Sequence, residues 1–114
     1  MTTIHIYDPK GIGTATAKLT PLPMPGLIIA AWNLLDQACD LVQPVDIAVS
    51  DLQSIFLQFP GEPRSMAAIT RWALRFGGVL TSSPHQTDKG PQTWCRAEFD
   101  YYGITVTAYA HIPA

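Results

Sequence analysis

Charge is scarce in this sequence: only 14% of its residues are Asp, Glu, Lys or Arg, and the formal net charge is −2. So small a balance gives no general pull towards nucleic acid or an acidic membrane surface, and it is too weak to imitate the charge of DNA. Cysteine is nearly absent as well. Cys39 and Cys95 alone cannot make a disulfide framework. Cys39 falls in an expected helix and Cys95 in an expected strand, both among apolar neighbours, so both are read as buried free thiols that pack as small hydrophobes. Long apolar runs are lacking. The longest, Leu27 to Trp32, is far too short to span a membrane. The N-terminus, Met1-Thr2-Thr3-Ile4-His5, has neither the basic nor the long apolar region of a secretory signal, so cytoplasmic residence is the expectation.

The signatures of chemistry are missing too. His5, His85 and His111 lie far apart, and none has metal-ligand spacing to another His or Cys, so no metal and no other cofactor is expected. Gly11-Ile12-Gly13 lacks both the third glycine and the following helix of a nucleotide-binding loop. Cys95 and His85 could be imagined as thiol nucleophile and base, but the strand register derived below sends Cys95 to the core. Glu98 and Asp100 sit at a hairpin end where no paired general acid and base can be placed, and Asp100 reads as a turn residue. The expectation is a protein that is not an enzyme.

What is present suffices for one domain. Hydrophobic residues make up 47% of the 114, too many for a disordered chain and enough for a modest core. Ten prolines, about twice the usual share, punctuate it. Residues 1–25 read as a partly extended arm, with Thr3–Tyr7 as a candidate edge strand and Pro21-Leu22-Pro23-Met24-Pro25 closing it. Residues 26–114 read as a single α+β domain.

Within that domain, residues 26–41 have helical spacing. Asn33, Asp36, Gln37 and Asp40 form a wet stripe, and Ile28, Trp32, Leu35, Cys39 and Val42 line much of the remainder. Residues 63–76 make the clearest helix, with Met66, Ile69, Trp72, Ala73 and Phe76 as its apolar stripe and Gly77 as its stop. Residues 45–49 alternate as a strand, whereas 51–59 fit both periods. As a strand, that segment forms a hairpin through Ser50-Asp51-Leu52, with Ile47 opposite Ile55 and Val45 opposite Leu57. This version is favoured. As a helix, with Ser50 and Gln53 as a capping box, it gives the order of a winged helix, with 63–76 as recognition helix and 85–91 as wing. Arg64, Arg71 and Arg75 share a helix face and would then contact nucleic acid. That wing, however, carries Lys89 as its only cation, offset by Asp88.

Val79 to Ser83 reads as a strand, and His85 to Pro91 as an exposed loop. Residues 92–100 and 104–112 are the best strand pair, joined by Asp100-Tyr101-Tyr102-Gly103 with Gly103 in the left-handed conformation. That connection sets Phe99 against Ile104, Ala97 against Val106 and Cys95 against Ala108 on an apolar side. The other side receives Trp94 opposite Tyr109, Arg96 opposite Thr107, Glu98 opposite Thr105 and Gln92 opposite His111. The bland account of this side is cross-strand stabilisation, worth roughly 0.2–1 kcal/mol per pair. The functional account is that Trp94, Arg96, Tyr109 and His111 form a contact surface. Trp, Tyr and Arg carry binding energy when desolvated, and two helices can cover only one side of the sheet.

The chain from about Val45 onward resembles small uncharacterised proteins of actinobacteria and their phages. The likeness rests on Ile69-Thr70-Arg71-Trp72-Ala73-Leu74-Arg75-Phe76-Gly77 and on Asp100-Tyr101-Tyr102-Gly103-Ile104-Thr105-Val106. It covers roughly the C-terminal 60% of the chain and favours the hairpin at 45–59, but it brings no activity, cofactor or functional residue with it. The sequence thus predicts a mainly antiparallel sheet of about five strands with two helices on one face. The expected function is a non-catalytic interaction protein, phage-related or accessory, that binds a protein partner or a second copy of itself. The alternative is a winged-helix DNA-binding regulator.

Overall fold

The two-way segment resolves as a strand. In the computed structural model, which describes residues 3–7 (as backbone) and 22–113, Asp46–Ser50 (β2) and Ser54–Gln58 (β3) pair antiparallel. Thr3–Tyr7 (β1) adds to β2 as the candidate edge strand. Residues 8–21 of the arm, with Gly11-Ile12-Gly13, lie outside the described residues. Met24–Gln37 (α1) joins β1 to β2, and Arg64–Phe76 (α2) leads from β3 to Val79–Thr87 (β4), Gly90–Tyr101 (β5) and Ile104–Pro113 (β6). The six strands form one sheet in the order β1-β2-β3-β6-β5-β4. The pairs β1–β2 and β3–β6 are parallel and the other three antiparallel. With a strand at 54–58, the element order is not that of a winged helix.

Alternation along the strands decides what each face holds. Ile47, Val49, Ile55, Leu57, Cys95, Ala97, Phe99, Val106 and Ala108 are buried on one face, under both helices, α1 over β2 and α2 over β5 and β6. α2 buries Ala68, Ile69, Trp72 and Ala73, much as its spacing implies, while Met66 stays 38% exposed at the rim. Trp72 is the centre of this core. It packs edge-on to Phe59 and stacks on Phe76, which in turn stacks on Phe99 at 4.8 Å.

Several expectations need correction. α1 starts at Met24, with Pro25 in its first turn, where the missing N–H has no intrahelical acceptor to lose. It ends at Gln37, so Cys39 and Val42 follow the helix and are exposed. Trp32 is exposed too. Leu27, Ala31, Leu34 and Leu35 form the buried stripe, because α1 is apolar around most of its circumference and its spacing alone leaves the rotation open.

Both hairpin registers shift by two residues, which preserves the faces and changes the partners. In the first, the turn is Asp51-Leu52-Gln53 with Gln53 at φ 62, and Ile47 meets Leu57 while Val49 meets Ile55. In the second, the turn is only Tyr102-Gly103, at φ 52 and φ 86, so Tyr101 pairs with Ile104 and is buried. Tyr102 takes the left-handed conformation that the sequence assigned to Gly103 alone. Asp100 still serves the turn, since its carboxylate accepts a hydrogen bond from the Gly103 N–H at 3.2 Å. Finally, the expected loop 85–91 is a continuation of strands. β4 runs to Thr87 and reverses through Asp88-Lys89, with the Thr87 hydroxyl donating to the Gly90 carbonyl at 2.8 Å.

A candidate contact surface on the outer sheet face

The face turned away from the helices carries the four residues that the sequence singled out. The register places Trp94 opposite His111 and Arg96 opposite Tyr109, with Glu98 opposite Thr107 and Gln92 opposite Pro113. On the far side of β5, β4 brings Ser83 opposite Trp94 and His85 opposite Gln92. The result is an aromatic cluster across three strands. The Trp94 indole lies between two imidazoles, His111 stacked on it at 5.4 Å and 22°, and His85 tilted against it at 5.1 Å. The Arg96 guanidinium sits 5.7 Å from the indole centroid. Tyr109 meets His111 edge-on at 6.0 Å.

These contacts change what Trp94 contributes. The indole is half-buried, screened by His85, His111 and Arg96. The outermost parts of the cluster are Arg96, His111 and His85, all exposed. Two donors stand out. The Trp94 Nε1–H is shut off from solvent and meets no acceptor among the described residues. Arg96 forms no ion pair among them, although Glu98 follows two positions along the same face. Half-buried Phe56 extends the surface inward on β3, opposite Thr107 on β6.

His85 and Ser83 were missed. The sequence carried no signal for them, since Ser82, Pro84 and Gln86 between them are not apolar and no alternation marks which side chains face the indole. Ser83 Oγ approaches His85 Nε2 at 3.4 Å, and no carboxylate among the described residues orients the ring, so among them the pair lacks the third group of a nucleophilic triad. Cys95 cannot join His85, because it lies fully buried on the opposite face, where desolvation pushes its thiol up and keeps it protonated. Among the described residues no three His, Cys, Asp or Glu gather as metal ligands.

The arginine stripe is largely engaged. Arg64 forks onto Glu62, with Nε 2.7 Å from Oε1. Arg75 clamps Asp40 at 2.6 Å and 3.2 Å and also reaches the Gln37 carbonyl, and its hydrogen bond holds the Asp40 carboxyl below the usual range. Arg71 is the member of the three without an ion pair among the described residues. No helix among the described residues is long and apolar enough to cross a membrane. In comparisons with known proteins, the chain matches no protein-family model, no curated protein and no solved structure.

Proposed function

We propose that this is a non-catalytic interaction protein that holds a protein partner on the outer face of its C-terminal hairpin. The observation that carries the reading is the cluster of His85, Trp94, Arg96, Tyr109 and His111, assembled from three strands on a face that neither helix covers. Aromatic rings and an arginine packed together are the residue types that dominate interface energetics once water is excluded. A partner acceptor would also pair the exposed Arg96 guanidinium, which has no ion pair among the described residues. A phage-related or accessory role rests on the resemblance of the C-terminal segment alone.

The test compares wild type with Arg96→Glu and Trp94→Ala as affinity baits in cells of the native source, using Leu52→Glu, on an exposed turn, as the control. A specific protein held by wild type and by the control but lost from both cluster variants supports the reading. Retention of the same proteins by all four baits sinks it.

A further inference from the structure

The outward surface of the helix layer, on the opposite side of the sheet from the cluster, exposes several large apolar side chains. α1 turns Ile29, Trp32, Asn33 and Asp36 away from the sheet, with Ile29 60% and Trp32 52% exposed. α2 turns out Met66, Ala67, Arg71 and Leu74, with Leu74 78% exposed. Each set follows the three- and four-residue spacing of one helical stripe. Shallow, open hollows accompany them, one of about 530 Å³ lined by Trp32 and Asp36 among others and one of about 670 Å³ lined by Met66, Ala67, Arg71 and Leu74 among others.

Charge divides the two stripes by sign. Asp36 is the one charged residue of α1, and α2 carries three arginines and no acid. Arg64 and Arg75 are taken by Glu62 and Asp40, which leaves Asp36 on α1 and Arg71 on α2 without ion pairs among the described residues. The stripes are therefore complementary to each other, and neither to itself.

We propose that the protein forms a two-fold homodimer through this layer, α1 of one copy lying on α2 of the other. A two-fold axis lying between the helix layers of the two copies, with α1 of each set over α2 of the other, makes every contact twice. Trp32 enters the hollow over Ala67, and Asp36 meets Arg71. Pairing α1 with α1, or α2 with α2, brings charges of one sign into an interface that offers them no counter-charge, so electrostatics favours the crossed pairing. The outer sheet face stays free for a different partner.

Light scattering after gel filtration and sedimentation equilibrium test this, with circular dichroism to show that each variant is folded. Wild type is expected to be a dimer. Asp36→Arg and Arg71→Asp should each weaken self-association by at least about tenfold, since like charges face each other in both contacts. Mixing the two single variants should restore full dimer mass, because every exchanged side chain then meets its opposite; the double exchange should do the same. Leu74→Asp should give a monomer. A monomeric wild type at up to about 0.1 mM, far above the Kd of a stable dimer, overturns the proposal. So does a dimer that ignores these substitutions, or single variants that fail to rescue each other. A dimer abolished by Arg96→Glu but not by Leu74→Asp would place self-association on the sheet face instead, while loss of partner capture with an intact dimer would speak only to the cluster.

Discussion

Trp72 is fully buried where the segment after α1 meets α2, and its indole donates to the Val42 carbonyl at 2.8 Å. It therefore ties the loop that follows α1 to the core beneath α2, through both packing and one directed bond. Trp72→Ala should cost about 3–5 kcal/mol, the range for deleting a large buried aromatic. Trp72→Phe, which keeps most of the packing but strands the carbonyl, should cost less, about 1–3 kcal/mol. Urea denaturation would check the order; equal losses would mean that the hydrogen bond, not the packing, dominates. The two cysteines offer a second check at this scale. Cys39 is exposed, and Cys95 is buried with its thiol pushed up by desolvation. A thiol reagent at mildly alkaline pH should modify Cys39 at once and Cys95 only as fast as the protein opens. Rapid modification of Cys39→Ser protein in native buffer would contradict this burial.

Among the elements, the β5–β6 hairpin governs the candidate surface, because its turn sets which side chains face each other. Two consecutive left-handed residues, Tyr102 at φ 52 and Gly103 at φ 86, close the tightest loop that the strands' twist accepts. Gly103→Ala should destabilise by about 1–2 kcal/mol, since a side chain there meets the backbone strain of positive φ. Tyr102→Asn should be neutral or stabilising by up to about 1 kcal/mol, as asparagine tolerates that conformation. Thermal melting of the two variants would check both signs. A longer loop was the natural inference from Asp100-Tyr101-Tyr102-Gly103, because tyrosine rarely adopts positive φ. The face assignment survived the error since the shift was two residues, which is why Trp94, Arg96, Tyr109 and His111 stayed together while their partners changed. The turn at 61 constrains the same strand from the other end. A Cβ on Gly61 would come within 2.6 Å of the His111 carbonyl oxygen, so the segment entering α2 presses on β6 at the cluster's edge.

For the whole molecule, the arrangement that matters is a mixed sheet with helices on one face and an aromatic cluster on the other. Local sequence determined much of this. Alternation predicted β5, β6 and their faces, periodicity predicted α2 and its buried stripe, and both hairpins were legible from apolar spacing. The α+β class followed from those elements. Tertiary structure decided the rest. Whether 54–58 became strand or helix depended on β2 and β6 being there to accept its backbone hydrogen bonds, since both periods fit the side chains. Which side of α1 was buried depended on what it packed against, as the helix is apolar nearly all round. The cluster was half visible: alternation named Trp94, Arg96, Tyr109 and His111, but only the pairing of β4 with β5 brought His85 to the indole. Periodicity reports the face on which a side chain lies, because that is a property of one strand or helix. Which neighbour it meets there is a property of register and long-range pairing, and these were settled only when the chain folded.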